Sequence, residues 1–301
     1  MNDLIDIADL DAGDIQDLYD TTDRVTEHRS DASSALAQKT LLMMFAKPST
    51  RTRISFETGM TQLGGHGIYF ETGSSHLERG EALKDTAKVV SRYVDGVMAR
   101  LYDHDELLEL AEHADVPVIN GLTDRLHPCQ ALSDLYTLRE KGIGLSDADI
   151  TFVGDGNNVA QSLLQACAQL GADFTWSGAQ GYEPDRDIVE HARAVGAETG
   201  ASITAMHDPH QAVRGTDVIY TDVFESMGQD RTERELERFR HYQVDEELVA
   251  TAGDPYVMHP LPAHRGEEIT SAVMDGPHSI VYDQAENRLH VQKAILMELL
   301  G

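Results

Sequence analysis

A run of hydroxyl and guanidinium side chains, Ser49-Thr-Arg-Thr-Arg53, follows the apolar segment Leu41–Ala46. This order predicts a strand that turns into the start of a helix. Backbone N–H groups and the helix macrodipole favour an anion there, whereas the cations Arg51 and Arg53 would be disfavoured without one. The chain is acid-free from residue 32 to residue 56. The segment therefore predicts a phosphate-binding corner, and the alternative is a solvated Ser/Thr N-cap with incidental arginines.

Further polar residues follow other apolar runs. Arg100 ends Val-Met-Ala-Arg, and the segment His127-Pro-Cys-Gln130 follows the next run. Each has an ordinary explanation: an arginine can form a surface ion pair, and a strand-end histidine is often only structural. Cys129 is interpreted as a small buried filler and not as a nucleophile.

The elements that must position these residues alternate between strands and helices, which predicts βαβ units and parallel sheets. The fold class is therefore α/β, with two doubly wound parallel-sheet domains and a C-terminal helix that packs back on the first domain. The predicted strands are Leu41–Ala46, Val94–Met98, Val116–Ile119, Ile150–Val153, Phe174–Trp176, Ile203–Met206, Val218–Tyr220 and Tyr256–Met258. The predicted helices are Thr52–Leu63, Glu81–Arg92, Ala131–Glu140, Val159–Leu170, Asp187–Val195 and Glu267–Met274, with a terminal helix on Val291, Ala294, Ile295 and Leu299.

The best boundary between the two domains is the glycine-bearing segment Lys141-Gly-Ile-Gly-Leu-Ser-Asp. It predicts one domain over residues 1–141, completed by the C-terminal helix from about residue 284 to residue 301, and a second over residues 142–283. In such folds, ligands bind outside the carboxyl ends of the strands.

Charge limits the classes of partner. The 301 residues include 52 Asp and Glu but only 24 Lys and Arg, which gives a formal net charge of −28. So acidic a surface argues against nucleic acid and anionic membranes as partners, and it is typical of a protein from concentrated salt. The chain has only two cysteines and begins without a signal peptide, so we expect a reducing cytoplasm.

Five motifs in order resemble the aspartate/ornithine transcarbamoylase family over nearly the whole chain. They are Ser49–Arg53, His127–Gln130, Gly154-Asp-Gly-Asn-Asn158, Asp222–Gly228 and His259–Glu268, followed by Glu286-Asn-Arg288. The segments Ser-Met-Gly and Ala-His-Arg-Gly-Glu-Glu resemble the ornithine branch. The resemblance implies transfer of the carbamoyl group of carbamoyl phosphate to the side-chain amine of L-ornithine, with citrulline and phosphate as products and with no cofactor or metal.

The resemblance also implies a role for each matching residue. For carbamoyl phosphate it implies phosphate binding by Ser49, Thr50, Arg51 and Thr52, a bridging Arg100, His127 at the carbonyl oxygen, and Gln130, Leu261 and Arg288 at the carbamoyl end. For ornithine it implies Asn158 at the α-carboxylate, and Asp222, Ser226 and Met227 at the α-ammonium group. His76 aligns with a glutamine in a loop that reaches a neighbouring subunit, so the family implies a homotrimer or a multiple of trimers.

One departure concerns the amine. The ornithine branch usually has a cysteine near the reacting amine, and Pro260 stands in its place here, as a proline does in the aspartate branch. The aspartate branch, however, has an arginine directly after this motif, where this chain has Ala263. The alternatives are therefore transfer to putrescine, acylated ornithine or aspartate, and a non-catalytic homologue that binds ligand. A nicotinamide oxidoreductase is a weaker alternative, since Gly154-x-Gly156 lacks the third glycine, which is Val159 here. His259 and His264 are interpreted as loop histidines without a metal-ligand set.

Overall fold

Parallel strands and helices alternate along the chain. A computed structural model describes residues 1–28, 30, 32–74, 80–225 and 231–301. The strands are β1 Thr40–Phe45, β2 His66–Glu71, β3 Gly96–Arg100, β4 Val118–Leu122, β5 Asp149–Val153, β6 Asp173–Ser177, β7 Ile203–Met206, β8 Val218–Thr221 and β9 Tyr256–Met258. The helices are α1 Ala12–Glu27, α2 Thr50–Gln62, α3 Leu83–Val90, α4 His104–His113, α5 Pro128–Glu140, α6 Asn158–Leu170, α7 Arg186–Thr199, α8 Pro209–Ala212, α9 Glu233–Phe239, α10 Glu246–Ala252, α11 Ser271–Met274 and α12 Val281–Leu300.

The strands form two parallel sheets, which confirms the predicted fold class. The first sheet has the order β2-β1-β3-β4 and the second the order β7-β6-β5-β8-β9. Their central strands are buried, as the apolar runs predict for sheets covered by helices on both faces. Strand order reverses between β1 and β3 in the first sheet and between β5 and β8 in the second. These two reversals are where such folds bind ligands.

Internal contacts divide the chain into two units, Met1–Ser133 with Asn287–Gly301, and Asp134–Glu286. This division falls inside α5 and inside α12, whereas the sequence placed the boundaries at residues 141 and 284. The difference arises because both helices continue from one unit into the other. The last residues of α12 pack on the first unit, where Thr21 donates a hydrogen bond to Glu298 over 2.8 Å.

The structure corrects the prediction at several elements. Strand β2 was not predicted, because it is a half-exposed edge strand that contains Gly67 and lacks a continuous apolar run. Helices α1, α4, α8, α9 and α10 were also missed. The helix expected over Glu267–Met274 is only the short α11, because Glu268 is buried as a hydrogen-bond acceptor and Thr270 caps the helix.

No helix within the described residues is both long enough and apolar enough to cross a membrane.

Candidate active site

The corner between β1 and α2 has the predicted geometry. Ser49 is the N-cap of α2, and its hydroxyl accepts a hydrogen bond from the N–H of Thr52 at 3.3 Å. Thr52 is 1% exposed and Arg51 is partly buried. Arg53 lies elsewhere, since its side chain pairs with Glu57 at 3.3 Å and stacks on an aromatic ring. Only part of the cationic segment therefore lines the buried corner.

Arg100 is the last residue of β3 and is 7% exposed. A register shift between Ala99 and Arg100 interrupts the pairing with β4, and such irregularities commonly redirect a side chain at the end of a strand. Its buried Nε has no hydrogen-bond partner among the described residues. Burial, followed by the positive charges of Arg288 and Arg51, lowers the pKa of Arg100 to about 9. Arg100 is thus a buried cation with two more cations nearby, and an anion would relieve this repulsion.

His127 and Gln130 lie at the start of α5. The carbonyl of His127 accepts the N–H of Gln130 at 3.1 Å, and both side chains are buried. Burial, and then the charges of Arg288, Arg100 and Lys47, holds the pKa of His127 well below its ordinary value. The imidazole is therefore neutral at pH 7, and one ring nitrogen carries a proton that can be donated to an oxygen.

Arg288 on α12 connects these residues. Its Nη1 donates to Oε1 of Gln130, and its Nη2 donates to Oγ1 of Thr52 at 3.4 Å. One turn further along α12, Gln292 accepts from Nε of Arg288 at 3.0 Å in the amide orientation that satisfies its hydrogen bonds. The structure thus brings together Thr52, Gln130 and Arg288, with Arg51, Arg100 and His127 close enough to interact through their charges.

Two neighbours of this group are informative. Burial raises the pKa of the Cys129 thiol to about 12, so the thiol is not an activated nucleophile. Lys47, which is not among the predicted site residues, is 6% exposed and its charge acts on His127. Its position directly before Pro48 and Ser49 was the available signal.

In the second unit, the predicted amine-binding residues lie at the β5/β8 reversal. Asn158 is the first residue of α6, and Asp222 directly follows β8; both are buried. Burial raises the pKa of Asp222, and hydrogen bonds from the N–H of Val223 and from Asn157 oppose that shift. The amide of Asn157 donates to Oδ2 of Asp222 at 2.8 Å, so Asn157 is a further functional residue beside the predicted Asn158.

His259 lies in the loop directly after β9, as interpreted from the sequence, and it is fully buried there. Its Nδ1 accepts the N–H of Leu261 at 2.9 Å, so its Nε2 carries the proton and donates to Oε1 of Glu268 at 3.0 Å. Leu261 has a φ of 58°, a left-handed conformation that is unfavourable for leucine, and the bond to His259 holds it. Pro260, between them, is partly buried. The signal for His259 was its place directly after the buried strand β9.

Within the described ranges, one cluster of possible metal ligands has its atoms within 4.8 Å of one another, namely His264, Glu267 and Glu268. His264 and Glu267 are exposed. Exposed acidic groups commonly occur together without a metal, so the cluster carries no assignment. The predicted site residues His76, Ser226 and Met227 lie outside the described residues.

Two family models match the chain. The model described as the aspartate/ornithine carbamoyltransferase carbamoyl-P binding domain matches residues 2–140. The model described as the Asp/Orn binding domain of the same family matches residues 146–299.

Similar proteins agree with these models. The chain is 51% identical to a catabolic ornithine carbamoyltransferase from Halobacterium salinarum, with 100% of both chains covered. It is 53% identical to an anabolic ornithine carbamoyltransferase from Pyrococcus furiosus, over 88% of this chain and 85% of the other. A solved structure of ornithine carbamoyltransferase from Pyrococcus furiosus has a TM-score of 0.96 at 48% identity, and covers 100% of this chain and 97% of the other.

Proposed function

This chain belongs to the aspartate/ornithine carbamoyltransferase family, and we propose that it transfers the carbamoyl group of carbamoyl phosphate to the side-chain amine of L-ornithine. The products are L-citrulline and phosphate, which places the reaction in arginine metabolism. The observation that carries the proposal is the buried group of cations at the β1/β3 reversal, because Arg100 lies beside Arg288 and Arg51 and its Nε has no partner in the part of the chain that the structure describes. We assign carbamoyl phosphate to residues 1–141 and ornithine to residues 142–283.

The phosphate of the donor would bind at the start of α2. Backbone N–H groups, the hydroxyls of Ser49, Thr50 and Thr52, and the guanidinium of Arg51 suit a phosphate, which takes several charge-assisted hydrogen bonds. Nη2 of Arg288 donates to the hydroxyl of Thr52 at 3.4 Å, so the protein itself fixes the position of this hydroxyl.

The reacting carbonyl would lie against Arg100 and His127. Attack by an amine converts the carbonyl oxygen into an oxyanion, and preorganised donors lower the barrier most at that atom. Arg100 supplies a charge and the neutral His127 supplies an N–H without adding a second charge. Gln130, with its oxygen fixed by Arg288, would hold the NH2 group of the donor, and Leu261 stays a prediction for the same group.

The amino acid would bind in the second unit. Asp222 is a buried carboxylate suited to an α-ammonium group, and Asn158 suits the α-carboxylate. The attacking amine must first lose a proton, because a lysine-like amine has a pKa of about 10.4 in water. The neutral amine then attacks the carbonyl carbon, and as the C–O bond to phosphate breaks, the departing phosphate accepts the second proton that the nitrogen loses. Ser226 and Met227 remain predictions for the same substrate.

The alternative amines remain distinguishable by experiment. Pro260 has neither a thiol nor an N–H, so it contributes only its carbonyl and its ring to the surroundings of the amine. Putrescine lacks the carboxylate that Asn158 would bind, and aspartate would place extra negative charge near Asp222 and Glu268. Ornithine therefore fits the charges of the second unit best.

We also propose a homotrimer, or a multiple of trimers, in the cytoplasm. Ile54 on α2 and Ile68 on the edge strand β2 are 59% and 40% accessible, so each is an exposed apolar side chain available for a subunit contact. His76 stays a prediction for the neighbouring subunit's site. Two buried free cysteines, Cys129 and Cys167, suit a reducing compartment.

The test is citrulline formation from carbamoyl phosphate and ornithine in concentrated KCl, with putrescine, N-acetylornithine and aspartate offered in parallel. Citrulline formation by the wild type supports the proposal, and Arg51→Ala should lower kcat/KM by about 100-fold or more. Arg186→Gln, which removes an exposed cation on α7, is the control and should leave the kinetics unchanged. Turnover of another amine without citrulline would reject ornithine as the substrate, and binding of carbamoyl phosphate without any turnover would indicate a non-catalytic homologue.

A further inference from the structure

A buried ion pair lies next to the residues assigned to the amino acid. Nη2 of Arg231 donates to Oδ2 of Asp155 at 2.6 Å, and the two side chains are 9% and 8% exposed. The guanidinium also lies 4.7 Å from the ring centres of both Tyr182 and Phe239. An arginine fixed by two rings and one carboxylate has far less freedom than a surface arginine, so this pair holds its geometry.

Asp155 belongs to the turn that reaches Asp222. The turn joins β5 to α6, and Asn157 within it accepts the N–H groups of Val159 and Ala160 while it donates to Asp222. The turn has little room to shift, because a Cβ on Gly156 would lie 2.2 Å from the nitrogen of Pro184. A displacement of Asp155 would therefore also displace Asn157 and disturb its hydrogen bond with Asp222.

Charge links the two carboxylates as well. Burial raises the pKa of Asp155, Arg231 opposes that shift, and the negative charge of Asp222 raises this pKa further. Repulsion between charges is mutual, so an unneutralised Asp155 would equally disfavour ionised Asp222. The positive charge of Arg231 neutralises Asp155 and so removes this repulsion.

We propose that Arg231 is a positioning residue that neutralises Asp155 and thereby keeps Asp222 and Asn157 in the charge state and geometry that bind the α-ammonium group of the substrate. The inference rests on the proposed function, since it concerns the amino acid that the second unit binds. It assigns Arg231 no contact with the substrate. We therefore expect Arg231 to affect binding of the amino acid and not binding of carbamoyl phosphate.

The experiment measures KM for ornithine and KM for carbamoyl phosphate separately in the full-length protein, by citrulline formation in concentrated KCl. Arg231→Gln should raise KM for ornithine by about tenfold or more and leave KM for carbamoyl phosphate within about threefold. Arg231→Lys keeps the charge but loses the planar fork, so its KM for ornithine should lie between those of wild type and Arg231→Gln. Arg186→Gln is again the control for loss of one positive charge.

The double variant Asp155→Asn/Arg231→Gln separates the electrostatic role from a structural one. With no charge left at residue 155, KM for ornithine should return to within about threefold of the wild-type value. Equal changes in both KM values in Arg231→Gln, no change in either, or no recovery in the double variant would each overturn the inference. If the single variant Arg231→Gln shows no cooperative unfolding and is therefore not folded, the KM of the double variant for ornithine is the deciding measurement, with the same threefold criterion. A wild type that forms no citrulline would instead overturn the proposed function, and with it this inference.

Discussion

Replacing Arg100 with methionine should make the ligand-free protein more stable and nearly inactive. Methionine keeps much of the length and the apolar stem of arginine but removes the charge and the donors. Arg100 is 7% exposed and lies near Arg288 and Arg51, so its charge is unfavourable until an anion binds. A residue that costs stability and contributes activity is expected at a functional site.

The magnitude follows from the pKa of Arg100. Its lowering from 12.5 to about 9 corresponds to an upper bound of roughly 5 kcal/mol against the charged form. Imperfect packing of methionine offsets part of this gain, so we expect about 1–3 kcal/mol of net stabilisation. In a chain of this size that is a rise in Tm of about 2–5 °C. Loss of a charged donor at the oxyanion should lower kcat by about 10²–10³-fold.

Both quantities are measurable on the same sample. Thermal unfolding in concentrated KCl gives Tm with and without inorganic phosphate, and citrulline formation gives kcat. Phosphate should raise the Tm of the wild type more than that of Arg100→Met, because the variant has lost one of the cations that the anion neutralises. The exposed Arg186→Met is the matched control and should change neither quantity. A variant that is less stable than the wild type and retains activity within tenfold would refute the reasoning.

Three further outcomes are expected. Burial, followed by Asp173 and Asp217, raises the pKa of the half-buried Asp149 from 3.8 to about 6; the folded state therefore holds the proton more tightly and stability falls as the pH rises through this window. Asp149→Asn should remove that loss and raise the free energy of unfolding, measured by urea titration, by about 1 kcal/mol above pH 6, after allowance for solvent screening, with no gain below about pH 3.8; an equal gain at both pH values would contradict this cause. Dilution of KCl should lower Tm steeply, because the chain has 52 acidic but only 24 basic side chains and their repulsion is then less screened. A Tm that does not depend on salt would refute this expectation. Cys129→Ser should retain kcat within about threefold because the thiol is not ionised, and a loss above tenfold would give the thiol a catalytic role.

The fold was largely predictable because its central strands are apolar on both faces. Each predicted strand coincides with an observed one, whereas the edge strand β2, with residues such as His66 and Gly67, gave no such run. Helix α1 was missed although its signal was present. Asp11 forms a capping box with Asp14 at the start of α1. The buried residues of α1 recur at helical spacing: Ile15, Leu18, Tyr19, Thr22 and Val25.

The candidate site was predictable only where residue type and motif coincide. The corner at Ser49 and the strand-end Arg100 are local features. The bond from Asn157 to Asp222 joins residues 65 positions apart, and the pair of Arg231 with Asp155 spans 76 positions. The sequence around one partner does not specify the other partner, so contacts of this kind are visible only in the folded structure.

The two strand-order reversals carry opposite charges, and burial explains how this difference persists in concentrated salt. At an ionic strength of about 1 M the Debye length is about 3 Å, so the acidic surface can neither attract a cationic amine nor repel an anionic donor over a useful range. Arg100 and Asp222 are 7% and 8% exposed, and ions in solution screen such groups far less. Under the proposed function, recognition therefore depends on charges that the fold has removed from water, each near a second group that shifts its pKa: Arg288 beside Arg100, and Asn157 beside Asp222.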